Sequence, residues 1–247
     1  MHRLPVDTET LLSSSPALSR SAAAHLRAVR PKAGEEMELF DGRGGTRLFR
    51  CEGEGRLVPA GEPVFRGRRP AEAPVLFACI TKGQRWDWTV AKAVELGVSR
   101  IVPVLSGRTI VRIAPGDRAA KRERWLRIAE DAARQSGAVW LPEIDEAAEF
   151  ADALALAGNT VCFAGILSDP PPPPLLDCIE AAVRAGAAAQ GRPFSVFVGP
   201  EGDFTPEEAA ALARTARPCS FGPAILRAET AAIFGLSVLA ASIHRGL

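Results

Sequence analysis

From residue 75 onward, short apolar runs alternate with longer amphipathic segments, and this alternation constrains the fold more than any other feature of the chain. The runs at Val75 to Ile80, Arg100 to Leu105, Thr160 to Gly165, Phe194 to Val198 and Pro218 to Phe221 read as strands. Between and after them, helices are predicted from about Arg85 to Leu96, Asp117 to Gln135, Asp145 to Ala157 and Pro174 to Ala188, then from Pro206 and from about Ala228 to His244. Strands separated by helices fold as a largely parallel α/β sheet covered on both faces, because each crossover helix must bury its apolar stripe against the sheet.

Residues 1 to about 70 carry a different pattern. Glu36 to Phe40 and Thr46 to Cys51 alternate in polarity across the glycine-rich Asp41-Gly42-Arg43-Gly44-Gly45, which reads as a β-hairpin in a small β domain. The basic, proline-punctuated stretch Phe65 to Pro74 reads as a linker, so the expected domains are 1–70 and 75–247.

With 247 residues, 47% of them hydrophobic, the chain can bury a full core. No apolar run reaches the roughly 20 residues of a membrane helix, and the start MHRLPVDTETLL lacks the layout of a signal peptide, so no membrane partner and a cytoplasmic location are expected. Five cysteines are scattered without a C-x-x-C pair, so neither a disulfide framework nor a metal site is expected. The net charge is only +1, yet twelve cations against six anions give residues 73–136 a charge of +6, while residues 137–247 carry −7. Such separation can focus a positive field on one face and attract polyanions, although solvated helix faces produce the same count.

Two turns concentrate the remaining signal. VFVGPEGDFTPEE leaves a strand through Gly199-Pro200-Glu201-Gly202 and enters a helix that Thr205 caps, with Pro206 at the first helical position and Glu208 completing a capping box. SFGPAILRAETA leaves the next strand through Gly222-Pro223 and enters the last helix. Taken alone, each is an architectural turn. Neither carries the spacing of a nucleotide phosphate loop or of G-x-G-x-x-G. Two strand-exit loops this close in sequence can nevertheless sit side by side at one sheet edge. Asp169 to Pro174 forms a stiff polyproline rim or spacer at the carboxyl end of another predicted strand, where open α/β sheets take ligands.

VGPEGDF and FGPAILRAETA, with KGQRWDWTVAKAVELGVSRIVPV and SGRTIV upstream and MHRLPV and MELFDGRGG near the start, resemble the RsmE family over nearly the whole chain. These are small-subunit (16S) ribosomal RNA (uridine-N3) methyltransferases of the SPOUT class. The resemblance implies a trefoil-knotted parallel α/β domain preceded by a small β-barrel, PUA-like and RNA-binding. It further implies a homodimer, S-adenosylmethionine as cofactor, and small-subunit ribosomal RNA, free or within an assembled subunit, as partner. On this resemblance Val198, Gly199, Pro200, Glu201 and Gly202, with Phe221, Gly222, Ile225 and Leu226, line the cofactor pocket. Glycines would let the backbone approach a flat base closely, and Ile225 and Leu226 would cover its faces.

Methylating uridine N3 requires loss of its proton and stabilisation of a uracil anion. Arg227 is the candidate for the developing charge. Glu229 is the candidate for positioning or proton acceptance, beside its ordinary role as a carboxylate favouring a helix N-terminus. Arg3, Arg30, Lys82, Arg85, Lys92, Arg108 and Arg112 are the candidates for RNA phosphates, with Lys92 also placed for a structural role in its helix. Trp86, Trp88, Trp125 and Trp140 are expected to pack rather than stack on bases. The chain departs from the family pattern at Asp203 (glycine expected), Ala228 (threonine), Gly107 (an acidic residue) and Ala138 (arginine), and the segment matched to Arg30 is one residue short. Two other readings fit the same residues. A methyltransferase of this fold with another RNA target would label a different nucleoside, and a non-catalytic RNA-binding or assembly protein would bind RNA but no cofactor.

Overall fold

The computed structural model describes residues 1–53, 55–69, 73–187 and 191–245. Residues 70–72 of the expected linker and Ala188, the expected end of a helix, lie outside the described residues. The chain divides into two compact units, Met1–Arg69 with Glu130–Leu141, and Pro70–Ala129 with Pro142–Leu247.

The first unit contains β1 (His2–Pro5), α1 (Thr8–Leu12), α2 (Arg20–Val29), β2 (Glu36–Phe40), β3 (Gly45–Cys51), β4 (Leu57–Pro59) and β5 (Val64–Phe65). The expected hairpin is β2 and β3, antiparallel, with Phe40 opposite Thr46. Asp41 shapes its turn by accepting hydrogen bonds from the amides of Arg43 and Gly45, both at 2.8 Å, an arrangement typical of aspartate in turns. β1 adds parallel to β2, and β3 also pairs with β4 and with β5. Alternate strand residues and the helices α1 and α2 bury Leu4, Leu11, Leu26, Met37, Leu39, Phe49 and Leu57 in one core. Glu130–Leu141 joins this unit because it docks on the hairpin turn: Gly44 donates to the Val139 carbonyl and Leu141 donates to that of Gly42, both at 2.9 Å.

The second unit runs β6 (Val75–Cys79), α3 (Gln84–Glu95), β7 (Arg100–Leu105), α4 (Arg118–Ser136), β8 (Glu143–Ile144), β9 (Ala148–Glu149), α5 (Phe150–Ala157), β10 (Val161–Gly165), α6 (Leu175–Arg184), β11 (Phe194–Val198), α7 (Pro206–Thr215), β12 (Arg217–Cys219) and α8 (Ala228–His244). The unit boundary falls within α4, after Ala129. The strands form a sheet in the order β12-β10-β11-β6-β7-β8, with β9 also on β7, and every pairing among the described residues is parallel.

Residues β6 and β11 are buried throughout, as strands covered on both faces must be. On one face Phe197 stacks on Phe77 with centroids 5.4 Å apart and takes Phe150 and Phe204 edge-on at 5.8 Å. On the other, α8 packs over β11 and β6 and buries Leu236 and Leu239 completely. Burial of each such side chain stabilises the fold by about 1.5–3 kcal/mol.

Two predicted helices are shorter than their sequence patterns, and α6 ends at Arg184, with Ala185 as its C-cap. The segment expected to be helical from Asp145 begins at Phe150, because Asp145 instead forms a two-point ion pair with Arg100 (2.9 and 2.7 Å) and Ala148–Glu149 adds to β7 as a strand. A bidentate pair and ladder hydrogen bonds outweigh the helix preference of five residues. The short strand expected at Pro218 to Phe221 lies slightly earlier, at Arg217–Cys219, and Phe221 turns away from the ladder.

Candidate active site

Because β12, β10 and β11 are parallel neighbours, their carboxyl ends open on one edge of the sheet, the place where ligands bind in open α/β sheets. The two Gly-Pro turns expected to lie side by side follow β11 and β12, but β10 stands between those strands. Its exit, Gly165-Ile166-Leu167, therefore sits between the two turns and contributes a third wall. These three exits bound a cleft that is open to solvent.

Of the nine residues expected at a cofactor, Val198, Gly199, Pro200, Glu201, Phe221, Gly222, Ile225 and Leu226 line this cleft, joined by Asp203, Ser220, Ala228 and Ala231. Gly202 lies in the same turn but outside the lining. The Gly165–Leu167 wall was missing from the sequence reading, although the placement of the proline run at a strand's carboxyl end pointed to it.

Small residues set the shape. A Cβ on Gly165 would stand 2.8 Å from the Phe221 ring, and one on Gly199 would stand 3.0 Å from the Phe204 ring, so glycine lets both aromatic rings close against the backbone. The proline run forms the outer rim. Ser220 donates to the Pro173 carbonyl at 2.8 Å and Leu175 donates to that of Ser220 at 3.0 Å, which fixes Asp169 to Pro174 beside β12. A second groove lies there, lined by Pro171 to Pro174 and sharing Ile166, Leu167, Gly222 and Ile225 with the cleft.

The first turn is held from several sides. Thr205 and Glu208 form the expected capping box, and the other oxygen of Glu208 accepts the Gly107 amide at 2.8 Å. The family pattern has an acidic side chain at 107; in this chain a Cβ there would meet Thr205 at 3.1 Å. Arg85 pairs with Glu201 at 3.1 Å, and Arg108 donates to the carbonyls of Gly202 and Phe204 at 2.9 and 3.1 Å. Arg112 donates to the carbonyls of Ser106 and Gly107.

At the second turn, Arg227 is the exposed N-cap residue of α8. Glu229 lies in the first turn of that helix, and its Oε2 is buried without a hydrogen-bond partner among the described residues. A buried, unsatisfied carboxylate oxygen is costly and calls for a ligand or a catalytic role. Neither residue lines the cleft itself.

The other candidate cations are dispersed. Arg30 is the exposed C-cap of α2, with a left-handed φ of 50°, and Lys82 is exposed after β6. Arg3 departs from the RNA-binding expectation: its side chain is only 9% exposed. It donates to Glu38 at 2.6 Å and to the carbonyls of Ala133 and Ala138, and lies 4.4 Å over the Phe40 ring. It is a structural tie within the first unit. Lys92 pairs with Glu95 at 2.8 Å, the structural role anticipated for it. Trp86 and Trp125 are buried edge-on at 5.7 Å, whereas Trp88 is 45% exposed and departs from the packing expectation.

Burial pushes the thiols of Cys79 and Cys162 up to about 12 and that of Cys219 upward as well, so none of them is a nucleophile at neutral pH.

A sequence-family model described as an RNA methyltransferase domain matches residues 69–240. The ribosomal RNA small subunit methyltransferase E of Mycobacterium bovis is 30% identical over 88% of this chain and 81% of its own length. That of Bacillus subtilis is 28% identical over 65% of this chain, and the match spans 62% of the Bacillus protein. Among solved structures, a ribosomal RNA small subunit methyltransferase E from Neisseria gonorrhoeae, bound to S-adenosyl methionine, superposes with a TM-score of 0.81 at 27% identity, covering 98% of each chain. By the family match and by these relatives, the chain belongs to the RNA methyltransferase family, among the ribosomal RNA small subunit methyltransferase E proteins.

Proposed function

We propose that the protein transfers a methyl group from S-adenosylmethionine to N3 of a uridine in small-subunit (16S) ribosomal RNA. The observation that carries this reading is the cleft at the carboxyl ends of β10, β11 and β12, two of whose walls are the turns that carry the family resemblance. The residues suit the cofactor. Backbone at Gly222, with no atom near its Cβ position, leaves room for a flat purine, Ile225 and Leu226 offer apolar faces, and Glu201 places a carboxylate that complements a cationic ligand. When bound, S-adenosylmethionine supplies an electrophilic methyl group.

The chain's own residues would do the rest. Arg227, exposed at the mouth of α8, is placed to stabilise negative charge developing on the uracil oxygens. The unsatisfied Oε2 of Glu229 is a candidate acceptor for the N3 proton or for orienting the base. Glu229→Gln is expected to leave cofactor affinity unchanged and to lower kcat by about 100-fold. A purely structural carboxylate would instead lower stability and spare kcat.

A trefoil knot in the second unit is supported by the strand order, in which the chain runs to the edge strand β12 and then returns as α8 onto β11 and β6 in the middle of the sheet. A PUA-like barrel for residues 1–70 is supported by β3, which pairs with β2, β4 and β5. RNA binding there would rest on exposed cations such as Arg30, and in the domain of residues 75–247 on Lys82, Arg85 and Arg112. A homodimer is supported by the exposed apolar side chains Leu167, Leu176, Ile225 and Phe234. Action in the cytoplasm, on free ribosomal RNA or the assembled subunit, follows the family. No helix among the described residues is long and apolar enough to cross a membrane.

The test is to incubate the protein with methyl-labelled S-adenosylmethionine and small subunits from a strain lacking the gene, then to digest the RNA and identify the labelled nucleoside by mass spectrometry. Label in N3-methyluridine is the expected result. Label in another nucleoside would overturn the target, and absence of label would overturn the reaction.

A further inference from the structure

We infer that Arg108 is a positioning residue for the cofactor turn, and that bracing this turn, rather than neutralising an RNA phosphate, is its role. The inference rests on the cofactor reading above. Asp203 lines the cleft and holds a φ of 58°, a left-handed conformation that side-chain-bearing residues adopt only when their surroundings enforce it. Its own carboxylate accepts the Phe204 amide at 2.8 Å, a local bond that helps aspartate tolerate this region.

The surroundings are Arg108. A single guanidinium nitrogen, Nη1, donates to the carbonyls on both sides of Asp203, those of Gly202 and Phe204. These two acceptors flank the strained residue, so the one nitrogen ties the peptide that enters Asp203 to the peptide that leaves Phe204 and spans the strained residue between them. The side chain lies along Gly202, where an added Cβ would come 3.7 Å from Arg108.

The loop carrying Arg108 is itself pinned. Glu208 accepts the amide of Gly107, Thr109 accepts the amide of Ser106 at 3.0 Å, and Arg112 donates to the carbonyls of Ser106 and Gly107. A guanidinium on a fixed loop, spent on two backbone carbonyls, is built as a strut. The family pattern has glycine at position 203, where no such enforcement is needed. This chain carries aspartate, and the strut makes the substitution tolerable.

Arg108→Lys separates bracing from charge, because lysine keeps the cation but not the reach and planar geometry of the guanidinium. S-adenosylmethionine binding is measured by calorimetry, and binding to 16S ribosomal RNA is measured across a salt series. The expected result is cofactor affinity weakened about tenfold in Arg108→Lys, with RNA affinity and its salt dependence as in the wild type. Adding Asp203→Gly to Arg108→Lys should recover most of the lost affinity, since glycine adopts the positive φ without enforcement. A weakened but saturable titration also shows that the single variant is folded. Unchanged cofactor binding in Arg108→Lys, or no recovery in the double variant, would overturn the inference. So would weaker RNA binding, or a salt slope reduced by about one, in Arg108→Ala with cofactor binding intact. Wild-type protein that fails to bind S-adenosylmethionine would contradict the function reading itself and this inference with it, a result distinct from wild-type binding with an unaffected variant.

Discussion

Phe221 occupies space that glycines leave for it. Added Cβ atoms at Gly165 and Gly235 would meet its ring at 2.8 and 3.4 Å, and the ring forms part of the cleft wall. Gly165→Ala is therefore expected to push Phe221 into the cleft, to destabilise the fold by about 1–3 kcal/mol and to weaken cofactor binding. Urea denaturation and a cofactor titration on the same variant check both effects, and unchanged affinity would show that Phe221 moves away from the cleft. At this scale the sequence was most informative where chemistry and backbone agree. Val198 to Glu201 and Phe221, Gly222, Ile225 and Leu226 were legible because glycine, proline and apolar residues stood in an ordered motif. The burial of Arg3 was not legible. Its acceptors, the carbonyls of Ala133 and Ala138, lie 130 and 135 residues away, and backbone carbonyls carry no residue-type signal.

Among the elements, α7 has the clearest local encoding. Thr205, Pro206 and Glu208 specify its start through the capping box and the favoured first position, and the structure forms each of these features. Thr205→Ala removes one half of the box and is expected to cost about 1 kcal/mol, read as a lower urea midpoint with an unchanged m-value. The start of α5 was misread for the opposite reason. Asp145 and Ala148 belong to a helical pattern locally, but Arg100 and the edge of β7 capture them at long range. The third wall of the cleft, Gly165 to Leu167, was hidden by the same kind of non-local effect. Periodicity identifies β10 as a strand but does not say that it lies between β11 and β12.

For the molecule as a whole, the buried thiols link stability to alkaline pH. Cys79 and Cys162 are held protonated to about 12, whereas a thiol in the unfolded chain has a reference value of 9.0. Above pH 9 the unfolded state has therefore released protons that the folded state retains, so stability is fully present below pH 9 and falls as pH rises toward 12. Each thiol contributes a loss of about 1 kcal/mol per pH unit in that window. Denaturation midpoints from pH 8 to 11 should fall for the wild type and fall less for Cys162→Ala; parallel curves would contradict the assignment. The parallel architecture of the second unit was legible from its alternating pattern, because buried strands and crossover helices have distinct periods. The capture of Glu130–Leu141 by the first unit was not, since it depends on two backbone hydrogen bonds at the hairpin turn, Gly44 donating to the Val139 carbonyl and Leu141 donating to that of Gly42.

On the proposed reading, three strand exits, at the carboxyl ends of β10, β11 and β12, together form one cofactor site. Amide hydrogen exchange, followed by mass spectrometry with and without S-adenosylmethionine, is the decisive check. Slowed exchange is expected in residues 165–167, 198–204 and 220–228 together, including the exit after β10 that the motifs alone did not reveal. Protection confined to the two Gly-Pro turns, or centred elsewhere in the chain, would contradict it.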